Sequence, residues 1–497
     1  MNMQEKATST SHRILFLNTL AFTVCFAAWM LNGVLATFLS TNQVFKWGSV
    51  EMGWLLGIPV LTGSLFRLPA GMLTDKYGGK PVFAALLFLS AIPMYLLSTA
   101  QNFTDFALYS FGFGFTGVSF SIGIAYTSIW YPQKSQGTAL GIFGAGNAGA
   151  ALTTLLAPRL LNHLTQNGSN LEGWRLLPKY YAAFLLGMGI LFLLFAVNKK
   201  PASSGKKMSQ LLKPLKSMRV WRFGLYYFVV FGGFVAFSQW LVAYFVNAYY
   251  LSLVTAGILS SVFSLPSGVI RAMGGWMSDK WGARKVMYYV LGLSTLFCLL
   301  LIVPKMDIYS PGEGVMAKRP GTVSEVTSSS IRIDDQVYSL LERKTQTAIQ
   351  DDQVLILPSK EVWQEAVVQV GQKVQRKELL AKGQTRIYFQ ANVWIFAFLV
   401  FVLGIVWGIG KAGVYKYIPD YFPQEVGVVG GMVGVIGGLG GFVCPIVFGY
   451  LLNLTGLWTS CWMFLFFVSL ISFVWMNSVV SRMMQQKHPE SVRRIEN

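Results

Sequence analysis

Apolar residues in this chain do not alternate with polar ones as on a half-buried strand; they gather into roughly twelve runs of about 20 residues, separated by short polar breaks. Such a run crosses a hydrocarbon layer as a helix, because about 20 residues rising 1.5 Å each cover ~30 Å. The pattern predicts spans over 14–40, 50–73, 81–99, 103–130, 136–160, 179–197, 221–247, 253–277, 285–304, 391–418, 425–452 and 457–480. Six precede a basic break at 198–220 and six follow it. Residues 1–13 are polar, and the first run is too long for a leader and lacks a small-residue cleavage site, so it reads as a permanent span.

Charge placement orients the spans. The central break carries Lys199, Lys200, Lys206, Lys207, Lys213, Lys216 and Arg219 with no acidic residue, and the positive-inside rule puts it in the cytoplasm. Loops that alternate onto the same side hold Lys76 and Lys80, Lys134, and Lys280, Arg284 and Lys285. The loops after the third, seventh and eleventh spans hold no Lys or Arg. Both termini are expected in the cytoplasm and the chain in the inner (plasma) membrane, with a basic tail over 483–497.

Composition agrees. The chain is 54% hydrophobic and only 12% charged, about half the charged fraction of a soluble protein. Topology accounts for the net charge of +19, so a nucleic-acid partner is not expected. Cys25, Cys298, Cys444 and Cys461 lie inside apolar runs at no spacing that suits a metal, and His12, His163 and His488 are scattered. No metal or cofactor is therefore expected. With no Ser-His-Asp set, paired carboxylates or phosphate loop, neither is an enzyme.

The polar segment 305–389 falls between the ninth and tenth spans, on the extracytoplasmic side of this topology. Short alternating stretches such as Ser330–Asp334 and Val354–Leu357 predict strands of a small β-rich insert. The tract Val368–Leu380 loosely resembles the hairpin of lipoyl or biotinyl-type barrel-sandwich domains. Lys377 stands where those have Gly, and no carrier-lysine motif follows, so the likeness implies shape and not a prosthetic group.

The halves repeat each other, the sequence mark of a carrier whose site lies between related bundles. Arg67, Gly71, Asp75, Lys76, Gly78 and Lys80 match Arg271, Gly275, Asp279, Lys280, Gly282 and Arg284 at identical spacing. The Gly141, Gly144, Gly146 and Gly149 string after Tyr131-Pro132-Gln133 matches Gly434, Gly437, Gly438, Gly440 and Gly441 after Phe422-Pro423-Gln424, with a one-residue gap. The expected fold is an all-α polytopic membrane protein of twelve transmembrane helices in two pseudo-symmetric six-helix bundles. Its expected parts are 1–198 (first bundle), 199–220 (cytoplasmic linker), 221–304 (helices 7–9), 305–389 (insert), 390–482 (helices 10–12) and the tail.

The Gly-x-x-x-Asp-Lys/Arg-x-Gly-x-Arg/Lys loops at 71–80 and 275–284 resemble the signature of the major facilitator superfamily. Joined to a membrane arginine before each loop and to the Gly-rich fifth and eleventh spans, they resemble its nitrate/nitrite porter family. One departure is Ala150, where the first Gly string of that family often ends in another Gly. The resemblance implies a monomeric carrier in the lipid bilayer that moves nitrate and nitrite by alternating access, by proton symport or by nitrate/nitrite exchange. The rival expectations are a carrier of another small anion and a membrane sensor that uses the insert.

The residues bear physical reading of their own. Arg67 and Arg271 each lie eight residues from the loop Asp, or about 12 Å along a helix, near the bilayer midplane. A charge at that depth costs several kcal/mol unless partnered, and no acidic residue lies at comparable depth. A transported anion is the simplest partner, and a guanidinium can donate two parallel bonds to a planar oxyanion. Asn147 can donate to an anion or hold a neighbouring backbone. The repeated glycines let helices approach and slide, which suits gating. Tyr227 and Phe231 lie one turn apart on one face; the family resemblance assigns them, with Phe120 and Asn147, to the substrate cavity. Lys411 is the deep cation able to titrate, since a desolvated amine, unlike a guanidinium, can release its proton, and it is the candidate for proton coupling. Lys416 lies near the cytoplasmic end, where it can snorkel.

Overall fold

The computed structural model describes residues 8–200, 213–303, 306–343, 359–389, 391–422 and 426–487. The chain forms two compact units, one from Met1–Ile302 with Ala397–Asn497 and one from Val303–Phe396. In the helical unit we label the spans α1 (Ser9–Thr41), α2 (Ser49–Tyr77), α3 (Gly79–Thr99), α4 (Phe103–Ser128), α5 (Thr138–Leu164), α6 (Leu171–Phe195), α7 (Met218–Tyr249), α8 (Leu253–Val269 with Arg271–Trp281), α9 (Ala283–Leu300), α10 (Val393–Ile418), α11 (Val429–Thr455) and α12 (Ser460–Met483).

Two boundaries differ from the hydropathy reading. The first helix starts at Ser9, inside the polar lead, because Thr8 caps it: the Ser11 backbone N–H donates to the Thr8 hydroxyl at 3.2 Å. The eighth span is not one rod. It bends by 45° at Ile270, one turn after Pro266, whose missing N–H weakens the helix there.

Irregular backbone recurs at the depth of the repeated arginines. The regular helix of α2 lapses at Phe66 and resumes at Arg67, as that of α8 lapses at Ile270 and resumes at Arg271. Tight 3-10 turns cover Gly114–Val118 in α4 and Ala145–Ala148 in α5, and a π turn over Phe228–Gly232 widens α7. Such interruptions are tolerated in a membrane where they face protein or a cavity.

Helices of the two halves meet through glycine. A Cβ at Gly53 of α2 would lie 2.5 Å from the Pro445 carbonyl oxygen of α11, and one at Gly257 of α8 would lie 2.2 Å from that of Thr154 in α5. A Cβ at Gly33 of α1 would lie 2.7 Å from the Gln239 Cα of α7, and Gln239 Nε2 donates to the Leu56 carbonyl of α2 at 3.1 Å. These close approaches lie in the halves of the helices away from the two signature loops, at whose Gly71 and Gly275 a Cβ would meet nothing within 4 Å.

Up to Phe389 the described regular structure of the second unit is strand: β1 (Met306–Met316), β2 (Gly321–Val326), β3 (Ser330–Ile333), β4 (Gln336–Ser339), β5 (Ser359–Ala366), β6 (Lys373–Val374) and β7 (Leu379–Phe389). Antiparallel pairing gives sheets ordered β1-β7-β5 and β4-β3-β2-β6 around a core that includes Val323, Ile331, Ile333, Val374 and Leu380. The strand expected from Ser330 is β3, with Asp334 in the turn beyond it; residues 354–357 lie outside the described residues. Lys377 adopts φ +68°, the left-handed conformation that Gly takes at no steric cost, and its N–H donates to the Ala317 carbonyl at 2.8 Å.

Substitution at two glycines tests this packing. A Cβ at Gly232 would lie 2.7 Å from the Gly437 carbonyl oxygen, so Gly232→Val overpacks the α7–α11 contact. We expect it to cost about 1–3 kcal/mol and lower the melting temperature in detergent by a few degrees. Gly275→Ala should leave that temperature unchanged or slightly raised, since it gains helix propensity without a clash.

Candidate functional site

The two arginines that resume α2 and α8 converge on one aromatic ring. The Arg67 guanidinium carbon lies 5.4 Å from the centroid of Phe120, and that of Arg271 lies 5.2 Å from the same centroid. Their separation therefore cannot exceed about 11 Å, at which two positive charges repel by on the order of 1.5 kcal/mol at an effective dielectric of ~20. Arg67 is 2% exposed and Arg271 is half-buried. Arg67 Nη1 crosses between the halves and donates to the Gly434 carbonyl of α11 at 2.8 Å. Arg67 Nε and Nη2 and Arg271 Nη1 are buried and have no hydrogen-bond partner among the described residues.

Aromatic rings form the walls. Arg67 also packs against Phe231 at 5.2 Å and Trp29 at 5.9 Å, and Arg271 against Tyr415 at 5.6 Å. Tyr227 stacks on Phe231 with centroids 4.9 Å apart and planes 5° from parallel, and Tyr415 stands edge-on to Tyr227. The Tyr227 hydroxyl lies beside Tyr415 and Arg271 at a geometry short of a formed hydrogen bond. A desolvated cation–π contact contributes about 2 kcal/mol, less than the several kcal/mol that desolvating an ion costs. The described buried charged side chains are Arg67 and Lys411, with no Asp or Glu among them. Positive charge without a buried acid is therefore what the described residues around Phe120 hold.

Three glycines of the repeated strings touch the arginines. A Cβ at Gly144 would lie 3.3 Å from Arg271 Cδ, one at Gly438 would lie 3.3 Å from Arg67 Nη1, and one at Gly434 would lie 3.0 Å from the Tyr415 hydroxyl. The others serve helix packing: Gly146 faces Phe22, Gly149 the Thr23 carbonyl, Gly437 the Tyr227 ring, Gly440 the Gly232 Cα and Gly441 Val235, while Gly141 faces Ala272 loosely.

The structure thus gathers Arg67, Arg271, Phe120, Phe231 and Tyr227. Asn147 is fully buried in the 3-10 turn of α5 beside Gly268, and neither end of its amide is partnered among the described residues. Lys411 is fully buried, its Nζ 3.3 Å from the Phe234 centroid, within electrostatic reach of Arg271 and without a hydrogen bond among the described residues. Sequence reading missed Tyr415 and Trp29, whose only signal is that they sit on spans near other candidates. It also missed a partner for Lys416, whose Nζ pairs with Asp279 at 2.6 Å. In the signature loops Gly78 and Gly282 hold φ of +90° and +85°, which Gly alone adopts without strain. Arg284 Nη2 donates to the Tyr421 hydroxyl at 3.1 Å.

The pattern of the Major Facilitator Superfamily matches residues 17–313 and 380–495, passing over most of the β unit. A relative named probable nitrate/nitrite antiporter NarK1, from Thermus thermophilus, is 38% identical over 97% of this chain and 95% of its own length. The chain belongs to the nitrate/nitrite porter family of that superfamily. The nitrite extrusion protein of Bacillus subtilis is 24% identical over 93% of both chains. Among solved structures, an inward-facing, occupied bacterial homologue of the human lysosomal transporter Spinster aligns with TM-score 0.63 at 14% identity, over 96% of this chain and 98% of its own. The nucleoside transporter NupG aligns with TM-score 0.58 at 12% identity, over 95% and 99%. These two likenesses bear on the fold alone. Porters of this family are transporters and not enzymes.

The Lys416–Asp279 pair joins α10 to the second signature loop at a half-exposed position, where such a pair contributes little. A double-mutant cycle with Lys416→Gln and Asp279→Asn, read from thermal stability in detergent, should give a coupling of about 1 kcal/mol or less.

Proposed function

We propose that this protein carries nitrate and nitrite across the plasma membrane by alternating access, with the anion gripped between Arg67 and Arg271. The observation that carries the reading is the convergence of two arginines, one from each half of the repeat, on Phe120 with buried donors left over and no buried carboxylate among the described residues. A monovalent planar oxyanion answers both needs: it offsets the repulsion and accepts the spare N–H groups. Phe120, Phe231 and Tyr227 close the chamber around it, with the Tyr227 hydroxyl free to donate. Asn147 contributes an amide from the irregular turn of α5. The glycines at 141, 144, 146, 149, 434, 437, 438, 440 and 441 let the bundles rock against each other. The relatives' names, nitrate/nitrite antiporter and nitrite extrusion protein, agree with this substrate class. We take the protein to act as a monomer with both termini, the linker and the signature loops in the cytoplasm, and with the β unit extracytoplasmic.

The grip is tested by Arg67→Lys and Arg271→Lys in proteoliposomes loaded with nitrite and supplied with external nitrate. A point ammonium cannot reproduce the planar two-bond fork, so each variant should retain less than about a tenth of wild-type uptake at equal reconstituted protein. Near-normal uptake by either would remove that residue from the site.

Coupling turns on Lys411. Two guanidinium charges without a resident counter-ion make return of the empty site costly, which favours exchange of one anion for another. A buried amine with no acid beside it offers a second mode, since it can exchange a proton where a guanidinium stays charged. If Lys411 carries that proton, Lys411→Gln loses nitrate accumulation driven by a pH gradient alone and keeps nitrate/nitrite exchange. Undiminished accumulation in the variant would exclude it.

A further inference from the structure

A second polar feature lies far from the arginine chamber. Where α5 and α8 seal against each other, a Cβ at Gly257 would lie 2.2 Å from the Thr154 carbonyl oxygen and 2.8 Å from Pro158 Cγ. Directly beyond that seal, at the ends of these helices away from the signature loops, is an open cleft of about 470 Å³ lined by Arg159, Asn162, His163, Gln166, Asn167 and Val254. Its lining has a permanent cation, an imidazole and three amides, and no carboxylate. No Asp or Glu occurs between residues 106 and 171 or between 220 and 278, so α5 and the Leu253–Val269 part of α8 that flank the cleft are free of acid. Glu172, the first acid after α5, is held by Arg175.

Arg159, His163, Gln166 and Asn167 are exposed at this cleft. Arg159 Nη1 donates to the Leu155 carbonyl at 2.5 Å, which anchors one arm of the fork and leaves the other donors for a ligand. Gln166 and Asn167 hold φ of +50° and +55° in succession before Gly168 at +96°. Two consecutive side-chain-bearing residues in the left-handed region are unfavourable, and such strain concentrates at functional positions. Arg159 lies twelve residues beyond Asn147, or about 18 Å along α5, so the cleft and the chamber are separate stations on one helix.

We propose that this cleft is an anion-loading site: it collects small monovalent oxyanions at the extracytoplasmic mouth of the α5–α8 seam, on the route that opens when the seam parts. The proposal rests on the anion-transport reading above. An open cleft of one sign raises the local concentration of its counter-ion, and that effect is screened by salt.

The test uses the full chain in proteoliposomes, comparing nitrate entry from the Arg159 face with nitrate exit from the opposite face. Arg159→Gln should raise the KM for entry by about three- to ten-fold with kcat unchanged, and leave the KM for exit alone. Arg159→Lys should restore most of the entry KM, because loading depends on charge more than on a two-bond grip. Inert salt should raise the entry KM of the wild type and have little effect on Arg159→Gln. An unchanged entry KM in Arg159→Gln, or equal changes on both faces, would overturn the loading site while leaving the transport reading intact. Absence of nitrate flux in the wild type would overturn both.

Discussion

Two positive charges held near each other out of water are the constraint on which the architecture turns. Arg67 and Arg271 come from equivalent places in the repeat, and each is brought to Phe120 by a helix whose regular backbone lapses just before it. Left alone, this arrangement is unfavourable. Ring faces and one carbonyl offset part of the cost, and on the function proposed above the remainder is the driving force for taking up an anion. If the carrier works by the proposed alternating access, binding and conformational change are thereby linked, because the helices that carry the charges belong to the two halves that would move.

Glycine makes that link mechanical. Carbonyl oxygens of neighbouring helices come so close at Gly53 and Gly257, between the halves, and at Gly232, within the second half, that a side chain would overlap them, and small residues at such contacts let helices pack closely. The single bond from Arg67 to the Gly434 carbonyl ties a charge of one bundle to a glycine of the other, so in the proposed cycle the grip on the anion and the closeness of the bundles would change together.

Much of this was legible in the chain. Length and apolarity of the runs located the helices, since the bilayer imposes one length on every span. The exact spacing between Arg67 and Asp75 and between Arg271 and Asp279 exposed both the repeat and the charges. The break at Ile270 had a signal in Pro266 that a hydropathy reading averages across, whereas the lapse at Phe66 and the π turn over Phe228–Gly232 were not legible, because losing or shifting one backbone bond there has no residue signature. Tyr415 and Trp29 were missed for a related reason: their roles depend on which face of a long apolar helix meets another helix far away in sequence. Lys416 read as a snorkelling cation because its partner, Asp279, lies on a different element.

The buried cations also place such a carrier under electrical control. A charge moved through the full membrane field gains about 2.3 kcal/mol per 100 mV. On the proposed alternating-access reading, with the cytoplasm negative, a site holding Arg67 and Arg271 alone is drawn to face inward, and its empty return outward works against the field over whatever fraction of it the two charges cross. A bound monoanion cancels one of the two charges and halves the opposition. On that reading membrane voltage acts as a ratchet on the unloaded protein and a weaker one on the loaded protein, so the cell's own polarisation would favour turnover in which an anion is aboard in both directions.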